Sequence, residues 1–252
     1  MARVLIIAIV FLLASSCKKE STPITVIEAA VGELELINVY NIDVPEPSGL
    51  SFGPDKLSLL TVSDHTNLIY EMNMQGEVLR TLNYEGKDLE GITYNPHENI
   101  IAVVEEADRE VSLIDYDSGN LIQTYKIEIP SNADNSGLEG ISYNSNNRLY
   151  YIINEVNPEL LIIWNESTGI ISETNLNFAS DYSGVYVESD KSFLWFVSDQ
   201  SKGLYQCDYN TDIIKTFALD IRKYEGITVE GNTVFLINDA SAELFHYQIK
   251  NK

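Results

Sequence analysis

Three glutamates, Glu90, Glu139 and Glu225, share one local setting: each precedes a glycine and then an aliphatic residue. Two serines take the same place in further copies, so the cassette recurs five times. It reads Ser48-Gly49-Leu50, Glu90-Gly91-Ile92, Glu139-Gly140-Ile141, Ser183-Gly184-Val185 and Glu225-Gly226-Ile227. A second acidic set follows at a near-constant offset. Asp64, Glu106, Glu155 and Asp199 each stand 15 residues after their glycine, and Asp239 stands 13 after Gly226. Carboxylates gathered at one level of a partly dry channel repel one another. Three outcomes are then open: a bound cation, protons shared at raised pKa, or hydrogen bonds to backbone amides. No His or Cys occupies an equivalent position, and oxygen-only donors favour a hard ion, with Ca²⁺ ahead of Mg²⁺ where the geometry is flexible.

For most of the second set a humbler role is expected, capping of the turn that follows each strand. Glu155 stands apart because it lies in Asn154-Glu155-Val156-Asn157-Pro158, in the same repeat as Glu139. Glu46 is the candidate substitute for the acid that the first cassette lacks. Asp64, Glu106, Asp199 and Asp239 complete the secondary candidates. His65, next to Asp64, reads as a solvated turn residue, and Cys207 as a small buried side chain on a strand.

These positions need a scaffold that repeats. The cassette glycines lie 42, 49, 44 and 42 residues apart, a period that marks propellers and solenoids. Short β-branched and aromatic runs alternate with Gly, Asn, Asp and Pro turns, and no helix of ordinary length is expected past residue 30. Each repeat reads as four strands: the cassette strand, a very apolar second strand ending on the acid, and two more. That is the composition of a propeller blade. The chain ends after the third strand of the fifth repeat, while an unpaired strand, 36–42, precedes the first cassette. The count balances if this N-terminal strand completes the last blade and closes the ring, which also removes exposed sheet edges. The expected fold is all-β, a five-bladed β-propeller of four-stranded antiparallel blades over residues 31–252. In such a ring the first strands line the axis. The glycines let them approach, and the residue before each glycine reaches one mouth of the channel.

Ahead of the propeller, Arg3 and the apolar run from Val4 to Leu13 predict a signal peptide over residues 1–16, too short to span a bilayer. Ala14-Ser15-Ser16-Cys17 resembles the lipobox of bacterial lipoproteins, making Cys17 the lipidated new N-terminus and 17–30 a tether. The expected location is the cell envelope, on its periplasmic side or surface, with the membrane contacted only through the lipid. The formal net charge of −22 excludes a binder of nucleic-acid phosphates. With Cys17 modified, Cys207 is the one remaining thiol, and no disulfide framework exists.

The motifs EPSGL, DLEGITY, SGLEGISY, NEVNP, DYSGV and YEGI, in this order and spacing over roughly residues 36–249, resemble the SdiA-regulated family of bacterial propellers, distantly similar to NHL-repeat proteins. The resemblance implies five blades and a calcium ion at a family site. Carried over by motif, the candidate ligands are Glu90, Glu139, Glu155 and Glu225; the family supplies no enzymatic activity to transfer. Two functions compete. The first is a monomeric, non-enzymatic calcium-binding propeller presenting one face to a partner protein or extracellular ligand. The second is a calcium-dependent hydrolase, lactonase- or phytase-like, which needs an open metal position and a general base. No nucleophile triad, Gly-rich phosphate loop, zinc spacing or EF-hand loop is present, and no catalytic residue is assigned.

Overall fold

The computed structural model describes residues 29–129, 137–220 and 223–250. Its strands form five antiparallel four-stranded blades in sequence order. Blade I holds Pro47–Phe52, Leu59–Ser63, Leu68–Met72 and Val78–Glu85. Blade II holds Leu89–Asn95, Ile100–Glu105, Glu110–Asp115 and Leu121–Lys126. Blade III runs through Leu138–Asn144, Leu149–Asn154, Leu160–Asn165 and Gly169–Asn175. Blade IV runs through Tyr182–Glu188, Phe193–Ser198, Gly203–Cys207 and Ile213–Ala218. Blade V takes Tyr224–Glu230, Thr233–Asn238 and Glu243–Ile249 from the C-terminal end of the chain. Its fourth strand is Leu34–Asn41, antiparallel to Glu243–Ile249 from Leu34 opposite Ile249 to Asn41 opposite Glu243. The ring therefore closes as the strand count requires.

Packing closes it as well. Five clusters of buried apolar side chains fill the five junctions between neighbouring blades. Val104 and Leu113 meet Ile152 and Trp164 between blades II and III, and Leu59 and Met72 meet Phe235 and Leu244 between I and V. Each fully buried side chain of this kind contributes about 1.5–3 kcal/mol. A junction is stable only while both of its blades are present, so the cores reinforce one another around the circle.

At the axis the cassette glycines touch the next blade's backbone. A Cβ on Gly91 would lie 2.4 Å from the Glu139 carbonyl oxygen, and one on Gly226 would lie 2.5 Å from Gly49. Gly49 also sits at φ +60°, a conformation that an L side chain rarely adopts. With the following aliphatic residues these glycines leave only about 10 Å³ of free space, room for about one water molecule. The channel is thus pinched shut in the middle, and its two mouths are separate chambers.

One element was not expected. Ala30–Val31 forms a two-residue parallel strand on the outer edge of blade IV, with Ala30 opposite Lys215 and Val31 opposite Thr216. Two residues carry no period, so nothing in the sequence pattern announces them. Residues 29–31 of this edge fall partly inside the span 17–30 expected to be tether. Residues 1–28, which carry the expected signal peptide and Cys17, lie outside the described residues, as do 130–136 of the long blade II–III connection.

Candidate metal centre

Each blade delivers three residues to one mouth by the same backbone device. The N–H of the acid that follows the second strand donates to the carbonyl of the residue two before the cassette residue. The five bonds are Asp64 to Glu46 (3.1 Å), Glu106 to Asp88 (2.9 Å), Glu155 to Gly137 (3.2 Å), Asp199 to Asp181 (3.2 Å) and Asp239 to Lys223 (3.0 Å). In four blades the acceptor residue is left-handed, with φ of 42° at Glu46, 54° at Asp88, 65° at Asp181 and 69° at Lys223. Such conformations cost about 1–3 kcal/mol each and collect at functional sites.

The mouth is a chamber of about 180 Å³ lined by Glu46, Ser48, Asp64, Glu90, Glu139, Glu155, Asp181, Asp199, Lys223, Glu225 and Asp239. Nine of the eleven are acids and one is Ser48; among the described lining residues Lys223 is the single cation. At this mouth, carboxylate oxygens of Glu106, Glu139 and Glu155 lie within 4.8 Å of one another, as do those of Asp64, Asp88 and Glu90, with Glu106 and Asp88 just behind the lining residues. Calcium–oxygen bonds are about 2.3–2.6 Å, so oxygens on opposite sides of one ion stand about 5 Å apart, and each trio is compact enough to share an ion. Both trios bridge blades: the acid ending the second strand of one blade meets the cassette of the next.

The four primary candidates are therefore distributed unequally. Glu139 and Glu155 come together with Glu106, and Glu90 joins Asp64 and Asp88. Glu225 lies in neither trio; Lys223 Nζ stands 3.6 Å from its Oε1. The Lys223 backbone N–H also donates to Asp199 Oδ1 at 2.7 Å. At the junction of blades IV and V a lysine thus occupies the position that Asp88 holds between I and II. The serine cassettes are engaged elsewhere: Ser48 Oγ donates to the Glu90 carbonyl and Ser183 Oγ to the Tyr224 carbonyl, both at 2.7 Å. Glu46 lines the mouth beside an exposed His65, whose Nδ1 is 3.8 Å away.

The expected turn-capping role belongs to a different residue. Ser63, Ser198 and Asn238, each one place before the acid, accept the N–H of Thr66, Ser201 and Ser241. Strand alternation turns these three toward the turn and leaves the following acid for the mouth. Sequence reasoning also passed over Asp88, Asp181 and Lys223. The signal was available: two places before the cassette residue, four of five repeats carry a charge, Glu46 included.

Electrostatics marks the same chamber. Burial is the first cause that pushes Glu90 up to about 9, with Asp64, Glu106 and Glu225 adding repulsion. Burial lifts Glu155 to about 8, helped by its contact with Asp181, and lifts Glu225 to about 7 against the opposing pull of Lys223. Glu139 is raised well above the ordinary carboxyl value by burial and then by Glu90 and Glu155. Asp64, Glu106 and Asp239 move the same way, burial first. Glu139 is only 9% exposed, and among the described residues no donor hydrogen-bonds its carboxylate. A buried charge in that state must be neutralised by a proton or by a cation. By contrast the buried Cys207 thiol is pushed up to about 12 by burial and is no nucleophile.

The sequence matches the SdiA-regulated family over residues 34–238. The chain belongs to the SdiA-regulated family. No curated protein sequence matches this SdiA-regulated chain. Among solved structures it is similar to the glutaminyl cyclase of Myxococcus xanthus, with a TM-score of 0.69 at 9% identity over 88% of this chain and 99% of that one. It is also similar to a catalytically inactive virginiamycin B lyase from Staphylococcus aureus with quinupristin. There the TM-score is 0.52 at 18% identity, over 80% of this chain and 66% of that one. At such identities the likeness is one of fold.

Proposed function

We propose that the acidic mouth holds a hard divalent cation, calcium by the chemistry of its donors, and that the propeller is a non-enzymatic binding module displaying that face. Glu106, Glu139 and Glu155 would form the principal site, and Asp64, Asp88 and Glu90 a neighbouring one. The observation that carries the reading is Glu139, nine-tenths buried without a hydrogen-bond donor and facing two further carboxylates. A bound cation would stabilise all three charges at once. It would also invert the pKa order of the chamber, so that uptake releases protons. The binding role is supported by the engagement of both cassette serines with backbone carbonyls, which leaves neither beside a histidine base. The proposed setting is the bacterial envelope, with the chain tethered through a lipid on Cys17; metabolic labelling with a fatty acid, lost in Cys17→Ala, tests it.

Calorimetry and melting with calcium and with EGTA test the metal. Calcium at about 100 times its Kd should add about 2.7 kcal/mol of stability. A melting temperature indifferent to both, with no metal found by elemental analysis, overturns the site.

A second reading, a calcium-dependent hydrolase, draws on the roughly 180 Å³ of open chamber beside the trios and on the enzymes among the structural neighbours. Phosphorylated substrates fit it poorly, since Lys223 is the only cation among the described residues that line the chamber. Turnover of lactones or carboxylic esters that EGTA abolishes would favour this reading over the first.

A further inference from the structure

The opposite mouth is a separate chamber of about 380 Å³, at the lower end of the range used for small ligands, about 300–1,000 Å³. Its floor is made by the residues two places after the cassette glycines. Thr93 Oγ1 accepts the Tyr143 N–H and Ser142 Oγ accepts the Val187 N–H, both at 2.9 Å. Their oxygens are thereby fixed. Among the described residues no acceptor takes their O–H, so the floor offers two buried hydroxyl donors to whatever enters.

The walls are aromatic: Phe52, Tyr94, Tyr143 and Tyr186. Two of the phenols are occupied outside the chamber, Tyr94 with Asn99 Oδ1 at 2.8 Å and Tyr143 with His97 Nδ1 at 3.3 Å. Those rings present carbon faces inward.

Both lysines that line this mouth are paired with acids. Lys56 pairs with Glu230 and also lies over the Phe52 ring at 5.9 Å, filling the place that a cationic ligand would take. Lys191 pairs with Glu188 at 2.8 Å, while the other Glu188 oxygen accepts Trp195 Nε1–H at 3.1 Å. The exposed Asp55 and Asp190 remain at the rim and disfavour anions. Hydroxyl donors below, carbon faces at the sides and paired charges above suit a neutral ligand that has oxygen acceptors and an apolar C–H face.

We propose that this mouth is a binding site for a neutral saccharide, one or two sugar units deep. The glycine constriction separates it from the acidic mouth, so it stands whether or not a metal binds there. Calorimetry of the full chain against glucose, galactose, mannose, N-acetylglucosamine and their β-1,4-linked dimers tests it, with glucosamine and glucuronic acid as charged counterparts. At least one neutral sugar should bind with Kd below about 5 mM, and its charged counterparts at least about tenfold more weakly. Ser145→Trp and Asp190→Trp, two rim changes at non-core positions, should each weaken that binding at least about tenfold. Calcium and EGTA should leave the sugar affinity equally unchanged. The proposal is overturned if no sugar in the panel binds below about 5 mM or if glucuronic acid or glucosamine binds as well as a neutral sugar. Binding that survives both tryptophan substitutions, with melting curves confirming folded variants, also overturns it.

Discussion

Glu139 is the residue on which the acidic mouth depends most. Its carboxyl is deeply buried, close to Glu106 and Glu155, and has nothing but a proton or a metal to neutralise it. Glu139→Gln keeps the shape and removes the charge, so calcium affinity should fall at least about tenfold, or 1.4 kcal/mol. The metal-free protein should instead become more stable above neutral pH. Glu225→Gln should change calcium affinity less than about threefold, because Glu225 faces Lys223 rather than a trio. Equal losses in the two variants, read by calorimetry, would show that the ligands are shared around the whole ring. The same groups set a pH dependence. Burial holds Glu90 at about 9, Glu155 at about 8 and Glu225 at about 7 in the metal-free chain, against an ordinary value of 4.5. The folded state then binds more protons than the unfolded one. Its stability is therefore complete below pH about 4.5 and falls as pH rises through 7 to 9. Melting in EGTA should show that decline and excess calcium should suppress it; a flat profile in EGTA would mean that these carboxyls already ionise freely.

At the scale of strands and blades, crowding at the axis makes its own demand. Gly91→Ala would drive a Cβ to 2.4 Å from the Glu139 carbonyl oxygen, whereas the nearest backbone atom to a Cβ on Gly184 is 3.4 Å away. Overpacking against backbone should cost Gly91→Ala about 1–3 kcal/mol, and Gly184→Ala less, since its one tight neighbour is the Val197 side chain. Chemical denaturation checks the order; equal costs would remove crowding as the reason for the repeated glycine. That repeat was readable in the sequence because its cause is local: every inner strand meets the same neighbour at the same height. The acids were readable as a ring for the same reason. Their grouping was not, because a trio joins Glu106 of one blade to Glu139 of the next, and sequence order assigns each acid to its own blade. Lys223 shows the limit most clearly. Its part in withdrawing Glu225 depends on a contact of two side chains that no period encodes.

For the whole molecule, the two N-terminal strands offer opposite tests of what closes the ring. Leu34–Asn41 runs the length of Glu243–Ile249 in blade V, and the chain just after it puts Ile42 and Val44 into the core shared with blade I. A chain beginning at Asp43 would leave Glu243–Ile249 as a bare seven-residue edge and open the junctions on both sides of blade V. Exposed edges of that length pair with other chains. Such a truncation should be insoluble or swap strands into dimers, seen as aggregation or a doubled mass in light scattering. Ala30–Val31 contributes two register pairs, and Val31 is 73% exposed. A chain beginning at Glu33 should therefore remain monomeric and lose no more than about 1 kcal/mol, the scale of one or two net hydrogen bonds. The contrast separates closure from simple length. Were the Asp43 chain a stable monomer, the C-terminal blade would stand on three strands, and the shared geometry that brings eleven residues to one mouth would not depend on a closed circle. Were the Glu33 chain to collapse as well, the edge of blade IV would be holding the ring together in a way that its two residue pairs do not explain.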